Sequence, residues 1–179
     1  MESMSQESKI FALERRSHML QKVRSFFQEK SLLEVDTPLL SRYAPIDEHI
    51  DVMSVDVGQH VRYLHTSPEY AMKRLLSMGM KDIYQLGHVY RLGEKGRYHN
   101  PEFTLIEWYR RNLDFGPFIE ETFSLIELFV GNQSKEKISF RDAFHNYTGL
   151  DYLTASYEAM RQRAEDVGLR PNTSEKWSG

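Results

Sequence analysis

Apolar and polar positions follow a helical period between Lys9 and Lys30. Apolar residues recur there every three or four positions with charged residues between them, which is the pattern of an amphipathic helix. The apolar positions are Ile10, Leu13, Leu20, Val23 and Phe27. Residues 1–8 before this helix are polar and are predicted to form an N-terminal tail.

Shorter apolar segments follow, and they predict strands. Leu33-Glu34-Val35 is the first, and it ends before Pro38 because proline has no backbone donor for a sheet. Residues 50–57 and 61–65 are also β-like, and Gly58 between them predicts a hairpin turn.

Capping residues predict four further helices. The first begins at Ser67, a good N-cap, and runs to about Met78. The second spans Pro117–Val130 with an amphipathic pattern. Ser139 and Thr154 are the predicted N-caps of two short helices.

The longest strand pattern lies in the middle of the chain. Residues 82–91 and 102–110 each predict a strand, and the loop at 92–101 is rich in glycine and charge. The two strands are therefore predicted to form an antiparallel hairpin. The elements together predict an α+β fold. Residues 172–179 show only polar loop chemistry, so the sheet is expected to be cut short.

Composition narrows the class of protein. With 179 residues, 40% hydrophobic and 12% aromatic, the chain has enough sequence for a globular core. It shows no apolar run long enough to span a membrane and no signal peptide. The lack of cysteine fits a cytoplasmic location. The formal charge of −3 argues against a dedicated nucleic-acid binder.

One face of the second hairpin strand combines aromatic residues with an acid. Side chains alternate along a strand, so one face carries Phe103, Leu105, Glu107 and Tyr109. Glu107 on such a face needs a partner or a solvated pocket. The alternative is an edge strand on which Glu107 is exposed or ion-paired with Arg110 or Arg111.

The preceding strand and the loop add candidate anion-binding groups. Arg91 shares a face with Gln85, Gly87 and Val89, and Gly87 leaves room for a molecule to approach the sheet. Arginine suits a phosphate or a carboxylate. The loop charges suit a polyphosphate, although they also fit a solvated turn. These loop residues are Glu94, Lys95, Arg97 and His99.

Other types of site find little support in the sequence. Glu69, near a helix start, could bind an ammonium group, but acids are common there because they complement the helix dipole. The seven histidines lack metal-ligand spacing, so no metal site is predicted. Neither a Walker loop nor a dinucleotide-binding fingerprint occurs, so a nucleotide site would be of another kind.

Three stretches resemble the class II lysyl-tRNA synthetases. Residues 26–38 resemble motif 1, residues 66–75 the amino-acid-binding segment, and residues 90–109 motif 2. The match is closer still to the related ligases that attach (R)-β-lysine to elongation factor P, and it is most specific between Arg97 and Glu107. The resemblance implies a class II synthetase-like antiparallel sheet flanked by helices, and residues 9–179 would be a partial catalytic domain.

The resemblance also implies roles for the ATP-binding residues. Arg91 would grip the α-phosphate and the substrate carboxylate, so it is the candidate catalytic residue. Phe103 would stack on adenine. Arg97 and His99 would meet the distal phosphates, and Asn100 would shape the loop. Mg²⁺ would neutralise the phosphates in this family.

The same resemblance implies an amine site for a lysine-like substrate. Glu69 would hold the amine nearest the carboxylate, and Glu107 and Tyr109 would receive the far ammonium group. Two departures stand against full activity. Leu92-Gly93 replaces an Asn-Glu pair of the family, so either Glu94 takes over the ATP contact through a shift of the loop or that contact is weakened. No counterpart of motif 3, with its second ATP-binding arginine, precedes Gly179.

The function implied is activation of (R)-β-lysine as an adenylate and its transfer to a lysine of elongation factor P. Motif 1 implies a homodimer, and the early position of motif 1 leaves no place for an anticodon-binding domain, so tRNA is an unlikely acceptor. One alternative is a minimal lysyl-tRNA synthetase-like enzyme with another acceptor. Another is a non-catalytic remnant that binds ATP or an amine, or only dimerises. The residues do not distinguish β-lysine from α-lysine.

Overall fold

The computed structural model describes residues 5–169, which form two compact units, one ending at Gln133 and the other beginning at Ser134. The predicted single partial domain over residues 9–179 stays a prediction. In chain order, the first unit contains α1 (Gln6–Glu29), β1 (Leu33–Glu34), β2 (Leu40–Ser41), β3 (Ser54–Val57), β4 (His60–Leu64), α2 (Glu69–Ser77), β5 (Ile83–Tyr90), β6 (Glu102–Tyr109) and α3 (Phe115–Val130). The second unit contains α4 (Phe140–Thr148) and α5 (Tyr157–Asp166).

The first helix is confirmed, but it begins earlier than predicted. Ser5 is its N-cap, and the Ser5 side chain accepts a hydrogen bond from the backbone N–H of Ser8. Residues 6–8 of the predicted tail therefore belong to α1. Its apolar face packs only in the second half of the helix, since Val23 and Phe27 are buried whereas Ile10 and Leu13 are 50% and 66% exposed.

The predicted hairpin is the centre of the larger sheet. This sheet has the order β1-β5-β6, with β5 and β6 antiparallel in the register Ile83↔Tyr109 to Tyr90↔Glu102. β1 pairs with β5 in parallel, and the chain continues past it to Thr37 and Pro38 alongside β5. The sheet is therefore mixed, with one parallel pair beside the predicted antiparallel pair.

A smaller antiparallel sheet has the order β2-β4-β3. The predicted turn at Gly58 is confirmed, and its φ of 62° lies in the left-handed region that glycine favours. The strand predicted over residues 50–57 begins only at Ser54, with Asp51 instead forming an isolated bridge to Leu92. β2 was not predicted, because a two-residue strand leaves no periodic pattern.

The main hydrophobic core lies between the β5–β6 hairpin and the helices α1 and α3. Phe27 stacks on Tyr84 with ring centroids 4.6 Å apart, and it contacts Trp108 at 5.6 Å. Leu125 of α3 completes this cluster. A second cluster joins Val35, Met72 and Ile83, and it packs α2 against the same sheet.

An ionic network closes one end of the main core. Glu121 of α3 is only 5% exposed, and its carboxylate meets Arg110 at 3.2 Å and Lys30 at 3.9 Å. The Trp108 Nε1–H donates to the other carboxylate oxygen at 3.2 Å. Arg110 also pairs with Asp82 at 3.1 Å. These contacts tie the C-terminal ends of α1 and β6 and the start of β5 to the middle of α3.

Two predicted helix starts differ from the structure. α2 begins at Glu69 with Pro68 at the N-cap position, yet the Ser67 hydroxyl still accepts a hydrogen bond from the Glu69 backbone N–H at 3.1 Å. In the second unit, Ser139 is confirmed as an N-cap, but α5 is capped by Ser156 and not by Thr154. No helix within residues 5–169 is both long and apolar enough to cross a membrane.

Candidate active site

The hairpin register places the candidate residues of both strands on one surface. Gln85 lies directly opposite Glu107, Gly87 opposite Leu105, and Val89 opposite Phe103. Paired residues of an antiparallel ladder point to the same side of the sheet. The two faces predicted from the separate strands are therefore a single face, which we call the site face; the opposite face, which we call the core face, packs against α1 and α3.

An open cleft of about 620 Å³ lies at the loop end of the site face. It falls in the usual volume range of small-molecule sites, roughly 300–1,000 Å³. It is lined by Arg91, Gly93, Glu94, Lys95, Gly96, Tyr98, His99, Asn100 and Phe103. Five of the six predicted ATP-binding residues thus meet in one place. Arg97 does not line it, and its guanidinium lies 5.1 Å from the centroid of the Tyr98 ring.

Three contacts fix the side chain of Arg91. Its Nε–H donates to the carbonyl oxygen of Thr66 at 3.3 Å, and its Nη1 lies 3.4 Å from a carboxylate oxygen of Glu94. The guanidinium carbon lies 5.1 Å from the centroid of the Phe103 ring, within the range of a cation–π contact. Arg91 is therefore held beside an aromatic face in the cleft.

Leu92-Gly93, which departs from the family motif, has a distinctive backbone conformation in the loop. Gly93 adopts a φ of 83°, which is a left-handed conformation that favours glycine over other residues. The turn brings Glu94 to the guanidinium of Arg91. The carboxylate next to Arg91 in this chain thus comes from the residue after the glycine.

The carboxylate of Glu107 accepts hydrogen bonds from two hydroxyl groups. The Ser67 Oγ–H donates to Oε2 at 2.5 Å, and the Tyr109 hydroxyl donates to Oε1 at 2.7 Å. Within residues 5–169 no Lys, Arg or His forms a salt bridge with Glu107. The predicted alternative pairing with Arg110 does not occur, because Arg110 binds Asp82 and Glu121 on the other face.

The environment of Tyr109 keeps its hydroxyl protonated. Burial raises the pKa of Tyr109 well above its usual value, and the hydrogen bond and negative charge of Glu107 raise it further. A protonated Tyr109 is a hydrogen-bond donor at neutral pH. The Glu107 carboxylate consequently stays oriented by neutral donors.

Glu69 lies near the Tyr109 hydroxyl, as Glu107 does, but unlike Glu107 it has a cationic partner in the described part of the chain. Its carboxylate pairs with Lys73 at 2.5 Å, one turn further along α2. The hydrogen bond and the charge of Glu69 raise the pKa of Lys73, and the charge of Glu107 contributes less. Glu69 also raises the pKa of Tyr109. The charges of Glu69 and Glu107 therefore act on shared neighbours, Lys73 and Tyr109, at the end of the site face away from the cleft.

Sequence reasoning missed two functional contacts here. Ser67 is predicted as a cap and as part of the amino-acid-binding segment, but its bond to the side chain of Glu107, beside the one to the backbone of Glu69, is not predicted. Lys73 was not expected to pair with Glu69, although their four-residue spacing on a helix is a recognised ion-pair signal. In the described part of the chain, no group of three or more His, Cys, Asp or Glu side chains could hold a metal ion.

Comparison with known proteins identifies the class to which this fold and site belong. Residues 3–170 match the family model of the class II tRNA synthetases (D, K and N). The chain therefore belongs to the class II tRNA synthetase family, and the resemblance and the α+β fold class predicted from the sequence are confirmed.

Individual relatives within this family carry a more specific name. The chain is 38% identical over 160 residues to the elongation factor P–(R)-β-lysine ligase of Avibacterium paragallinarum, covering 86% of this chain and 50% of the relative. It is 39% identical over 166 residues to the ligases of that name from Haemophilus ducreyi and Vibrio cholerae, covering 89% of this chain and 51% of each relative. The chain thus spans about half the length of the curated relatives it matches.

Proposed function

We propose that this chain is part of an ATP-dependent ligase that activates (R)-β-lysine as an adenylate and transfers it to a lysine of elongation factor P. The observation that carries the proposal is the site face. At one end of this face is the cleft lined by Arg91 and Phe103. At the other end is the carboxylate of Glu107, whose side-chain hydrogen bonds within residues 5–169 come only from hydroxyl groups. The names of the relatives support the choice of substrate and acceptor.

ATP fits the cleft at the loop end by chemistry and by size. Phe103 offers a ring on which adenine would stack, with Arg91 already placed against the ring. Lys95 and His99 line the cleft and would contact the distal phosphates. Asn100 and Glu94 would shape the loop around the nucleotide, and Arg97 would turn away from Tyr98 to reach the phosphates. Mg²⁺, held mostly by phosphate oxygens, would lower their negative charge.

The amine end fits a substrate with two ammonium groups. Glu107 has a charge that no side chain of the described residues neutralises through a salt bridge, so an ammonium group would supply the missing cation. Tyr109 and Ser67 would hold the carboxylate in place. Glu69 would bind the second amine, with Lys73 turning aside into solvent, where it is already mostly exposed.

The distance between the two ends suits a lysine-like molecule joined to a phosphate. Phe103 and Glu107 are four residues apart on β6, which is about 13 Å at the rise of a strand. A carboxylate oxygen of the amino acid would attack the α-phosphorus. The bond from phosphorus to the bridging oxygen would break, and pyrophosphate would leave with the electron pair. Arg91 would stabilise the charge on the α-phosphate during this step.

The second step would transfer the acyl group to an amine. The neutral amine of the acceptor lysine would attack the acyl carbon, the bond to AMP would break, and the amine would lose a proton to form an amide. A protein acceptor agrees with the formal charge of −3, since tRNA binding usually draws on a basic surface. Modification of elongation factor P would take place in the cytoplasm.

A homodimer through motif 1 is part of the proposal. Leu33 of β1 lies in motif 1 and is exposed, and the first half of α1, which precedes that motif, exposes further apolar side chains. These exposed residues include Ile10, Phe11 and Leu13. Exposed apolar surface of this kind is typical of a protein interface. Sedimentation analysis of the chain would show a species of about 42 kDa if two 21.1 kDa chains associate.

ATP–pyrophosphate exchange tests the proposed activity. The chain would be assayed with (R)-β-lysine, with α-lysine and with no amino acid. Exchange that depends on (R)-β-lysine would support the proposal, and equal or faster exchange with α-lysine would favour a lysyl-tRNA synthetase-like enzyme. If a folded sample that binds ATP and lysine gives no exchange, the chain is a binding remnant, and the proposed activity fails for this chain.

A further inference from the structure

The middle of the site face carries two residues of β5 to which no role has been given. Gln85 lies opposite Glu107, and Gly87 lies one step nearer to Arg91. Gln85 is only 5% exposed. Between the amine end and the ATP end, these two positions form the surface that an activated amino acid would have to cross.

The orientation of the Gln85 amide is fixed by the backbone of motif 1. Its Oε1 accepts a hydrogen bond from the backbone N–H of Thr37 at 3.1 Å. Because only the oxygen can accept that bond, the Nε2 group must point away from Thr37. Within residues 5–169 no acceptor takes a hydrogen bond from Nε2. The neighbouring Thr37 hydroxyl is fully buried and has no partner among the described residues, whereas Nε2 has no partner but keeps some access to solvent. Buried polar groups without partners are uncommon in native proteins.

Gly87 keeps the surface beside this amide open. A Cβ built at position 87 would meet only Nε2 of Gln85, at 3.8 Å, which is an ordinary van der Waals distance. The φ of Gly87 is not in the left-handed region either. The fold therefore does not require glycine at this position, and the missing side chain leaves room above the sheet.

We propose that Gln85 and Gly87 form a carboxyl subsite, in which Nε2 of Gln85 donates a hydrogen bond to a carboxyl oxygen of the amino acid lying over Gly87. The subsite rests on the proposed function, because its place follows from an ammonium group at Glu107 and an α-phosphate at Arg91. The same donor serves the carbonyl oxygen of the adenylate, since both oxygens are acceptors.

A neutral donor suits this position better than a cation. A lysine or arginine opposite Glu107 would pair with its carboxylate and block the substrate's ammonium group. The amide of Gln85 binds an oxygen and leaves the charge of Glu107 available. The subsite therefore distinguishes an amino acid from a diamine, because a diamine supplies both ammonium groups but no oxygen for Gln85.

The test measures binding of (R)-β-lysine and of 1,4-diaminopentane, which has the same two amines but no carboxyl group, to the 179-residue chain by calorimetry. The variant Gln85→Glu keeps the oxygen that accepts from Thr37 and replaces the NH₂ donor by a carboxylate oxygen. We expect it to bind (R)-β-lysine at least about tenfold more weakly, because a donor is lost and a like charge gained, whereas diamine binding does not weaken. Gln59→Glu, on the exposed β3–β4 turn, makes the same charge change away from the site and serves as the control.

Gly87→Ala gives a second test that does not depend on charge. Its unfolding free energy should match that of the parent chain, since the added methyl group meets ordinary contacts, yet (R)-β-lysine should bind more weakly. Unchanged (R)-β-lysine affinity in either folded variant, or equal loss of both ligands in Gln85→Glu, would overturn the subsite and leave the proposed function standing. Failure of the parent chain to bind (R)-β-lysine would overturn both.

Discussion

A glutamate lies against each face of the β5–β6 hairpin, and the surroundings of the two carboxylates differ. Glu121 reaches the core face from α3, where Arg110 and Lys30 supply positive charge and Trp108 donates a hydrogen bond. Glu107 lies on the site face, where Ser67 and Tyr109 supply hydroxyl groups and no salt bridge forms within the described residues. Both carboxylates are oriented by good donors, but only one is neutralised.

This difference separates a structural carboxylate from the one that we propose binds a ligand. A buried charge is tolerated when cations and hydrogen bonds of the protein compensate it, and the compensation of Glu121 also joins four segments of the fold. The hydroxyl groups at Glu107 fix its position without cancelling its charge. The charge therefore remains available to a mobile cation, which is what an amine site requires.

Loss of the structural carboxylate should have the largest effect on stability. Glu121→Gln leaves the positive charge of Arg110 partly uncompensated in the core, so we expect the free energy of unfolding to fall by about 3 kcal/mol. Urea unfolding followed by circular dichroism measures this change. Glu29→Gln, an exposed acid on α1, is the matched control and should change stability by less than about 0.5 kcal/mol. A loss as small as that of the control would mean that Glu121 does not stabilise the fold.

The corresponding change on the site face should affect binding instead. Glu107→Gln turns an ion pair with the substrate's ammonium group into a neutral contact, so we expect lysine binding to weaken by roughly 1.5–3 kcal/mol. ATP binding should hardly change, because the cleft lies at the other end of the face. Calorimetry with each ligand separates the two effects. Equal loss of ATP and lysine affinity would contradict the role of Glu107 in amine binding.

The aromatic residues of the two faces also differ in what they contact. Trp108 and Phe27 on the core face pack against each other, whereas Phe103 lines the cleft beside Arg91. Phe103→Ala should weaken ATP binding by roughly 1–3 kcal/mol, the range for lost stacking of a base on a ring. Inorganic tripolyphosphate, which has no base, should bind the variant as well as the parent chain. Phe115→Ala, an exposed aromatic at the start of α3, is the control, and unchanged ATP affinity in Phe103→Ala would refute the stacking role.

The hairpin was the part of the fold most accessible from the sequence. Alternation along two long strands fixed which residues share a face, and the observed pairing of Gln85 with Glu107 and of Val89 with Phe103 agrees with that alternation. The five candidates lining the cleft lie near one loop and could be grouped by position alone. The conformation of Arg97 could not be predicted, because a long side chain on a loop has several rotamers of similar energy.

Contacts between distant segments were not accessible in the same way. Ser67 donates a hydrogen bond to Glu107, which is 40 residues away along the chain. Arg110 pairs with Glu121 and Asp82 and not with Glu107, because its side chain lies on the opposite face of the hairpin. The cap of α5 at Ser156 could not be distinguished from Thr154, since both residues have hydroxyl side chains of similar capping preference. Tertiary packing determines which partner or which cap residue is used.

The smallest predicted change in stability concerns Tyr84, on the core face of the hairpin. Burial, and then the hydrogen bond to Glu34, raise the pKa of Tyr84 to about 12. Because this pKa is higher than in the unfolded chain, the contribution to stability is complete below about pH 10 and is lost as the pH rises toward 12. Tyr84→Phe removes the hydrogen bond to Glu34 and should cost about 1 kcal/mol at pH 7. In urea unfolding at pH 7, 9, 10 and 11, the difference from the parent chain should shrink above pH 10. Tyr43→Phe, at an exposed tyrosine, is the control, and a constant difference for Tyr84→Phe up to pH 11 would show that this hydroxyl does not link folding to protonation.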